Sequence, residues 1–319
     1  MNDNASNERI KRVGLFDSGV GGLSILRFLE KQAAALGVPV KFVYFADTAR
    51  CPYGNRSSEE IRRFVEEIVS FLDSSCVDRI VMACNTSAAV AAHRAREISS
   101  VPVHDLIFPT AKFVANKYKR VGVVATSTTC QKRAFSSAIT QVNPDCRVIE
   151  IPAPDLVPLV ESGKLEGPEV EATIKKYVEQ LETFNADSLI FGCTHFPFLE
   201  AAFKKLIPNI SFVDPAVHLS MELLGSNSSS AETKAPSNLN FKKNVYFTTG
   251  SADAFSTAAE HCLALTAGTL SESICGMALE QIESFQLKPI PEITKTGSHS
   301  VLLDSSVSTH IPSAAPSSF

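Results

Sequence analysis

Short apolar, β-branched runs alternate with longer stretches of helical periodicity along most of this chain, the pattern of α/β proteins with mostly parallel sheets. Strands are predicted at 13–16, 42–46, 80–83, 121–125, 148–151, 189–191 and 245–248. A helix is predicted after Ser57, where Ser57-Ser58-Glu59-Glu60 offers a cap with a glutamate three residues on. Its apolar face holds Ile61, Phe64, Val65, Ile68 and Phe71 at helical spacing. Residues 23–32 and 170–181 also read as helices.

Part of the pattern occurs twice. Asp78-Arg79-Ile80-Val81-Met82-Ala83-Cys84-Asn85-Thr86 is answered by Asp187-Ser188-Leu189-Ile190-Phe191-Gly192-Cys193-Thr194-His195, 109 positions on. Lys11-Arg12-Val13-Gly14 resembles Lys119-Arg120-Val121-Gly122, displaced by 108. Two repeats at one offset predict two related halves, each with one cysteine just past a strand. The expected division is a discontinuous first domain, 11–100 plus 209–268, and a second domain, 101–208. The Ser- and Asn-rich stretch 226–240 reads as a mobile loop or insertion. Residues 290–319, rich in Ser, Pro and Thr, read as a disordered tail, with His299 and His310 incidental.

Composition narrows the setting. The chain has 319 residues, 45% of them hydrophobic, enough for two ordinary cores. No apolar run reaches the ~20 residues of a membrane helix, and residues 1–9 lack a signal peptide's apolar centre. A cytoplasmic protein is expected, with its eight cysteines reduced rather than paired. The net charge of −4 gives no reason to expect nucleic acid. No CxxC or Cys/His cluster with zinc spacing occurs, so no metal site is expected.

The chemistry-bearing residues follow predicted strands, where ligands of open α/β sheets bind. Cys84 and Cys193 have polar neighbours, which suit a site better than apolar packing. His195, two residues past Cys193, is positioned to lower that thiol's pKa below its free value of ~8.5. Phe16-Asp17-Ser18-Gly19-Val20-Gly21-Gly22 joins a strand to a helix, where glycines and a helix start can approach an anion. It fits neither a P-loop nor GxGxxG. Asp17 there can hold an ammonium group or handle protons. Asp47-Thr48-Ala49-Arg50-Cys51-Pro52-Tyr53-Gly54 ends in a turn whose amides and Tyr53 ring can line a pocket.

Together, FDSGVGG at 16–22, DTARCPYG at 47–54, ACNT at 83–86, Ala125-Thr126 with Thr129, and GCTHFP at 192–197 closely resemble the glutamate racemase family, in order, over about 12–255. The resemblance implies two pseudo-symmetric α/β domains facing a central cleft, no cofactor, and a homodimer. It implies that L-glutamate is racemised to D-glutamate for peptidoglycan. By the same resemblance Cys84 and Cys193 are the acid/base thiols, Cys84 acting on D-glutamate and Cys193 on L-glutamate, with Asp17 and His195 assisting. Asp17, Ser18, Pro52, Tyr53, Gly54, Asn85, Thr86, Thr126, Thr129 and Thr194 match substrate contacts. Glu161 matches an acidic residue on the second thiol's side. The chain departs from the family at Cys51, where an aliphatic residue is commoner. It departs also in the Ser87-Ala88 order and at Phe196, where Tyr is common.

Inversion at Cα requires a proton removed from one face and another delivered to the opposite face, which a thiolate and a thiol on opposite sides accomplish. No evident lysine supports Schiff-base chemistry. The carbanion then depends on preorganised donors such as Asn85, Thr86, Thr126 and Thr194. Rival readings are an aspartate or hydantoin racemase, a thiol redox or metal-binding protein using Cys51, Cys84 and Cys193, and a non-catalytic binding module.

Overall fold

The computed structural model describes residues 11–225, 244–263 and 274–283. Ten strands are found among them: β1 (Lys11–Asp17), β2 (Val40–Ala46), β3 (Arg79–Met82), β4 (Val103–Asp105), β5 (Arg120–Ala125), β6 (Arg147–Pro152), β7 (Ser188–Gly192), β8 (Ser211–Val213), β9 (Val245–Thr248) and β10 (Ile274–Gly276). They form two sheets, ordered β10-β9-β2-β1-β3-β4 and β6-β5-β7-β8. Every pairing is parallel.

The first helices are α1 (Leu23–Ala35), α2 (Ser58–Ser74), α3 (Asn85–Ile98) and α4 (Ile107–Lys117). Then come α5 (Ser127–Gln131), α6 (Ala134–Val142), α7 (Leu156–Glu161), α8 (Pro168–Phe184), α9 (Glu200–Leu206) and α10 (Pro215–Gly225). The predicted cap of α2 is formed in full. Ser57 Oγ accepts from the Glu60 amide at 3.2 Å, and Glu60 Oε2 accepts from the Ser57 amide at 2.9 Å. All five residues predicted for its apolar face are buried. Parallel strands here are covered on both faces, so neighbouring residues of one strand serve different cores. Val121, Val123 and Ala125 of β5 join Phe16, Ile80 and Met82 of the first sheet in one apolar cluster. Val124 turns to a second cluster with Leu189 and Phe191.

The repeat read in the sequence is a repeat of topology. The order β2-β1-β3-β4 recurs as β6-β5-β7-β8, with β1 and β5 as matching central strands. Each unit is pinned alike. Asp78 Oδ2 accepts from the Arg12 amide at 2.7 Å, and Asp187 accepts from the Lys119 and Arg120 amides at 2.9 and 3.1 Å. After the fourth strand of each unit an aspartate turns back on the next helix. Asp105 Oδ1 accepts from the Ile107 amide at 2.7 Å and Asp214 Oδ1 from the Ala216 amide at 2.9 Å.

Two strands fall outside the expected division. β4 pairs with β3, so the first sheet takes in Val103–Asp105, beyond the break placed at residue 100. β8 pairs with β7, so Ser211–Val213 belongs to the second sheet rather than to a segment returning to the first. Such short edge strands have too few residues for a periodic signal. β9 does pair with β2, as a return to the first sheet requires. The expected loop at 226–240 and tail at 290–319 lie outside the described residues.

Candidate active site

Five strands of the two units end at one cavity of about 110 Å³, which lies at their carboxyl ends. Ser18 follows β1, Cys84 follows β3, Thr126 follows β5, Ala153 follows β6 and Cys193 follows β7. Cys84 and Cys193 are both buried and both line it. Ser18, Pro52, Tyr53, Gly54, Asn85, Thr86, Thr126, Glu161, Thr194 and His195, all singled out in the sequence, line it as well. Asp17 and Thr129 stand behind the wall, each fully buried.

Local structure explains these placements. Asp17 ends β1, and the glycine turn after it folds round its own carboxylate. Oδ2 accepts from the Gly19 amide at 3.2 Å and the Gly22 amide at 3.1 Å. A Cβ at Gly22 would lie 2.7 Å from Asp17 Cβ, so only glycine admits this approach. The glycine amides expected to cradle an external anion therefore hold an internal one. Asp17 Oδ1 is buried without a hydrogen-bond partner among the described residues. Thr126 caps α5, its Oγ1 accepting from the Thr129 amide at 3.3 Å, and this is the service of Thr129. Asn85 and Thr86 form the first turn of α3, where backbone N–H groups are free to meet a carboxylate.

Tyr53 lines the cavity, packs its ring against Phe64 with centroids 5.6 Å apart, and donates its hydroxyl to Asp47 Oδ2 at 2.5 Å. Arg50 Nε donates to the same oxygen at 2.7 Å and Nη1 donates to Glu67. This buried network holds the Pro52–Gly54 wall against α2. Hydrogen bonds join the units across the site: Thr86 Oγ1 and Thr126 Oγ1 are 3.0 Å apart, and Thr128 Oγ1 donates to the Gly54 carbonyl at 3.1 Å.

The thiols differ from expectation in one respect. Burial pushes Cys84 up to about 11, with Asp17 adding to the rise. Burial likewise raises Cys193, and the hydrogen bond from the His195 amide only partly opposes it. His195 Nδ1 lies 3.8 Å from Cys193 Sγ, yet the thiol is not lowered as its sequence position suggested. Desolvation of an anion outweighs a single neighbour. His195 Nε2 faces Glu161 Oε1 at 3.6 Å.

Sequence reasoning missed Asn55, Ser127 and the Ala153-Pro154 and Val157-Pro158 wall. Their signal was positional alone: Ala153 follows β6, another parallel strand end. No Lys or Arg side chain lines the cavity. Among the described residues no group of three or more His, Cys, Asp or Glu is placed to hold a metal ion. No described helix is long and apolar enough to cross a membrane.

Two parallel α/β units of like strand order, each bringing one buried thiol to a shared cavity, define the architecture. The comparisons name its class. Residues 13–220 match the Asp/Glu/hydantoin racemase family. A glutamate racemase from Trichodesmium erythraeum is 42% identical over 212 residues, 66% of this chain and 77% of that protein. The crystal structure of a Francisella tularensis glutamate racemase in complex with D-glutamate superposes with a TM-score of 0.73 at 30% identity, covering 85% of this chain and 98% of that one. One from Bacillus anthracis gives 0.74 at 31% identity, covering 84% and 98%. The chain belongs to the Asp/Glu/hydantoin racemase family and is an amino-acid racemase.

Proposed function

We propose that this racemase interconverts L- and D-glutamate without a cofactor, by proton transfer through Cys84 and Cys193, and so supplies D-glutamate for peptidoglycan. The observation that carries the reading is the pair of buried sulfurs, each from the matching strand end of its own unit, lining one cavity. Cys84 as thiolate takes the α-proton of D-glutamate while the Cys193 thiol delivers one to the other face; L-glutamate reverses the roles. The α-carboxylate meets Asn85 and Thr86 at the start of α3, with Thr126 and Thr194 opposite. With no cationic Lys or Arg in the wall, charge stabilisation falls to helix-start amides and hydroxyls fixed before substrate arrives. Burial raises both thiols, which disfavours ionising the two together. A substrate ammonium close to the sulfurs counters that rise, because an opposite charge favours the thiolate.

Incubation with L-glutamate in deuterium oxide tests this. The expected product is D-glutamate carrying deuterium at Cα. Inversion without deuterium at Cα overturns the proton-transfer chemistry, and inversion of aspartate in preference to glutamate overturns the substrate.

A further inference from the structure

The two thiols are not served alike. His195 stands two residues after Cys193, and the matching position after Cys84 is Thr86, which has no ionisable ring. From Cys193 a short path leads outward: Sγ to His195 Nδ1 is 3.8 Å, and His195 Nε2 to Glu161 Oε1 is 3.6 Å. Glu161 is 45% exposed at the cavity rim, so its carboxylate can exchange protons with water. Cys84, buried to a like degree, has no imidazole beside it.

A second path reaches the same oxygen. The Cys84 thiol is directed at Ser18 Oγ, 4.0 Å away. Cys51 packs its sulfur against the turn that follows Ser18, 3.4 Å from where a Cβ on Gly19 would stand. The Cys51 thiol is directed at Glu161 Oε1, 3.9 Å away. We propose that Cys51 is a proton-relay residue joining Cys84 to Glu161, so that a single carboxylate exchanges protons with both thiols. The proposal rests on the two-thiol reading above.

The transfer balances. The Cys84 S–H bond breaks and its proton passes to Ser18 Oγ. The Ser18 hydroxyl proton passes to Cys51 Sγ as the Cys51 thiol proton passes to Glu161 Oε1. The net change is a Cys84 thiolate and a protonated Glu161, with Ser18 and Cys51 restored. On the other side the Cys193 proton goes to His195 Nδ1, and the Nε2 proton goes to the same oxygen. Each turnover leaves the thiol that gave its proton ionised and the other protonated, so the pair must be reset before the next substrate of the same hand. The two paths meeting at Glu161 perform that reset.

Reset follows product release, so it limits kcat and leaves kcat/KM unaltered, whereas a distorted cavity lowers kcat/KM. Cys51→Val, which fills the site with an aliphatic group, should lower kcat about tenfold in both directions with KM falling in proportion; this is a modest share of the ~10²–10⁴ that proton transfer can supply. Cys51→Ser, which restores an exchangeable proton, should recover most of the loss. A tracer-perturbation experiment, in which excess unlabelled D-glutamate is added to equilibrated labelled enantiomers, should show a transient label imbalance that is larger in Cys51→Val. Unchanged kcat in Cys51→Val, a parallel loss of kcat/KM, or no difference between the Val and Ser variants overturns the relay. None of those results touches the two-thiol reading, which fails instead if Cys84→Ser or Cys193→Ser still racemises.

Discussion

The two units bring matching strands to the cavity and then surround their sulfurs with different chemistry. Cys84 has the Asp17 carboxylate behind it and the Ser18 hydroxyl at 4.0 Å, whereas Cys193 has the His195 imidazole at 3.8 Å. Duplication has preserved backbone position, down to the aspartates that pin β1 to β3 and β5 to β7, without preserving the side chains beside the sulfurs. Bases on opposite faces of one chiral centre meet different substituents, so two identical surroundings would not serve both enantiomers. The largest effect expected from this comparison is at the sulfurs themselves. Cys84→Ser and Cys193→Ser should each reduce racemisation by at least ~10³, within the range for removal of a general acid or base, as measured by chiral chromatography. Each should retain deuterium exchange with one enantiomer only: D-glutamate in Cys193→Ser and L-glutamate in Cys84→Ser. Exchange of both enantiomers by a single variant would break the assignment of one thiol per face.

Next comes the seam between the units. Gly21 of the first unit faces Thr194 and His195 of the second, and a Cβ there would lie 2.8 Å from His195 Nδ1 and closer still to Thr194 Oγ1. Gly21→Ala displaces the second thiol's partner without touching either sulfur. A loss of about 10² in kcat/KM is expected, since a misplacement of ~1 Å carries that cost. Equal activity in Gly21→Ala and wild type would mean that His195 need not hold its present place.

Much of this was legible beforehand because it is local. The Lys-Arg-Val-Gly and Asp-to-Cys passages disclose the repeat, and Ser57 with Glu60 discloses the start of α2. The misread parts depend on packing. Val103–Asp105 and Ser211–Val213 are three-residue strands that acquire their sheets only by pairing. Cys193 rises instead of falling because burial, invisible in Cys-Thr-His, outweighs its neighbour. Cys51 stood out in the sequence as an unusual residue and a candidate redox thiol; its closeness to Glu161, 110 positions away, depends on the second unit.

Burial of the thiols also has a consequence for stability. Cys84 titrates near 9 in an unfolded chain and about 11 in the folded one. Above pH 9 the unfolded chain releases a proton that the folded chain retains, so stability falls as pH rises toward 11 and is intact below 9. The loss for this one group is roughly 2–3 kcal/mol. Urea midpoints at pH 8 and pH 10.5 should therefore converge more closely for Cys84→Ala than for wild type. An equal drop in both proteins would place the alkaline sensitivity elsewhere.

The smallest expected effect sharpens the comparison of the units away from the site. Asp78 and Asp187 make the same backbone pin, but the Asp78 contact to Arg12 is partly buried and the Asp187 contacts to Lys119 and Arg120 are exposed. Removing a buried acceptor leaves an amide unsatisfied, at roughly 1–3 kcal/mol, whereas water replaces an exposed one. Asp78→Ala should thus cost about 1–2 kcal/mol by chemical denaturation at pH 7 and Asp187→Ala less than about 1 kcal/mol. The repeat fixes where the two carboxylates stand, and solvent access fixes what each contributes. Equal losses from the two variants would mean that β-strand registry itself, common to both pins, sets the contribution regardless of exposure.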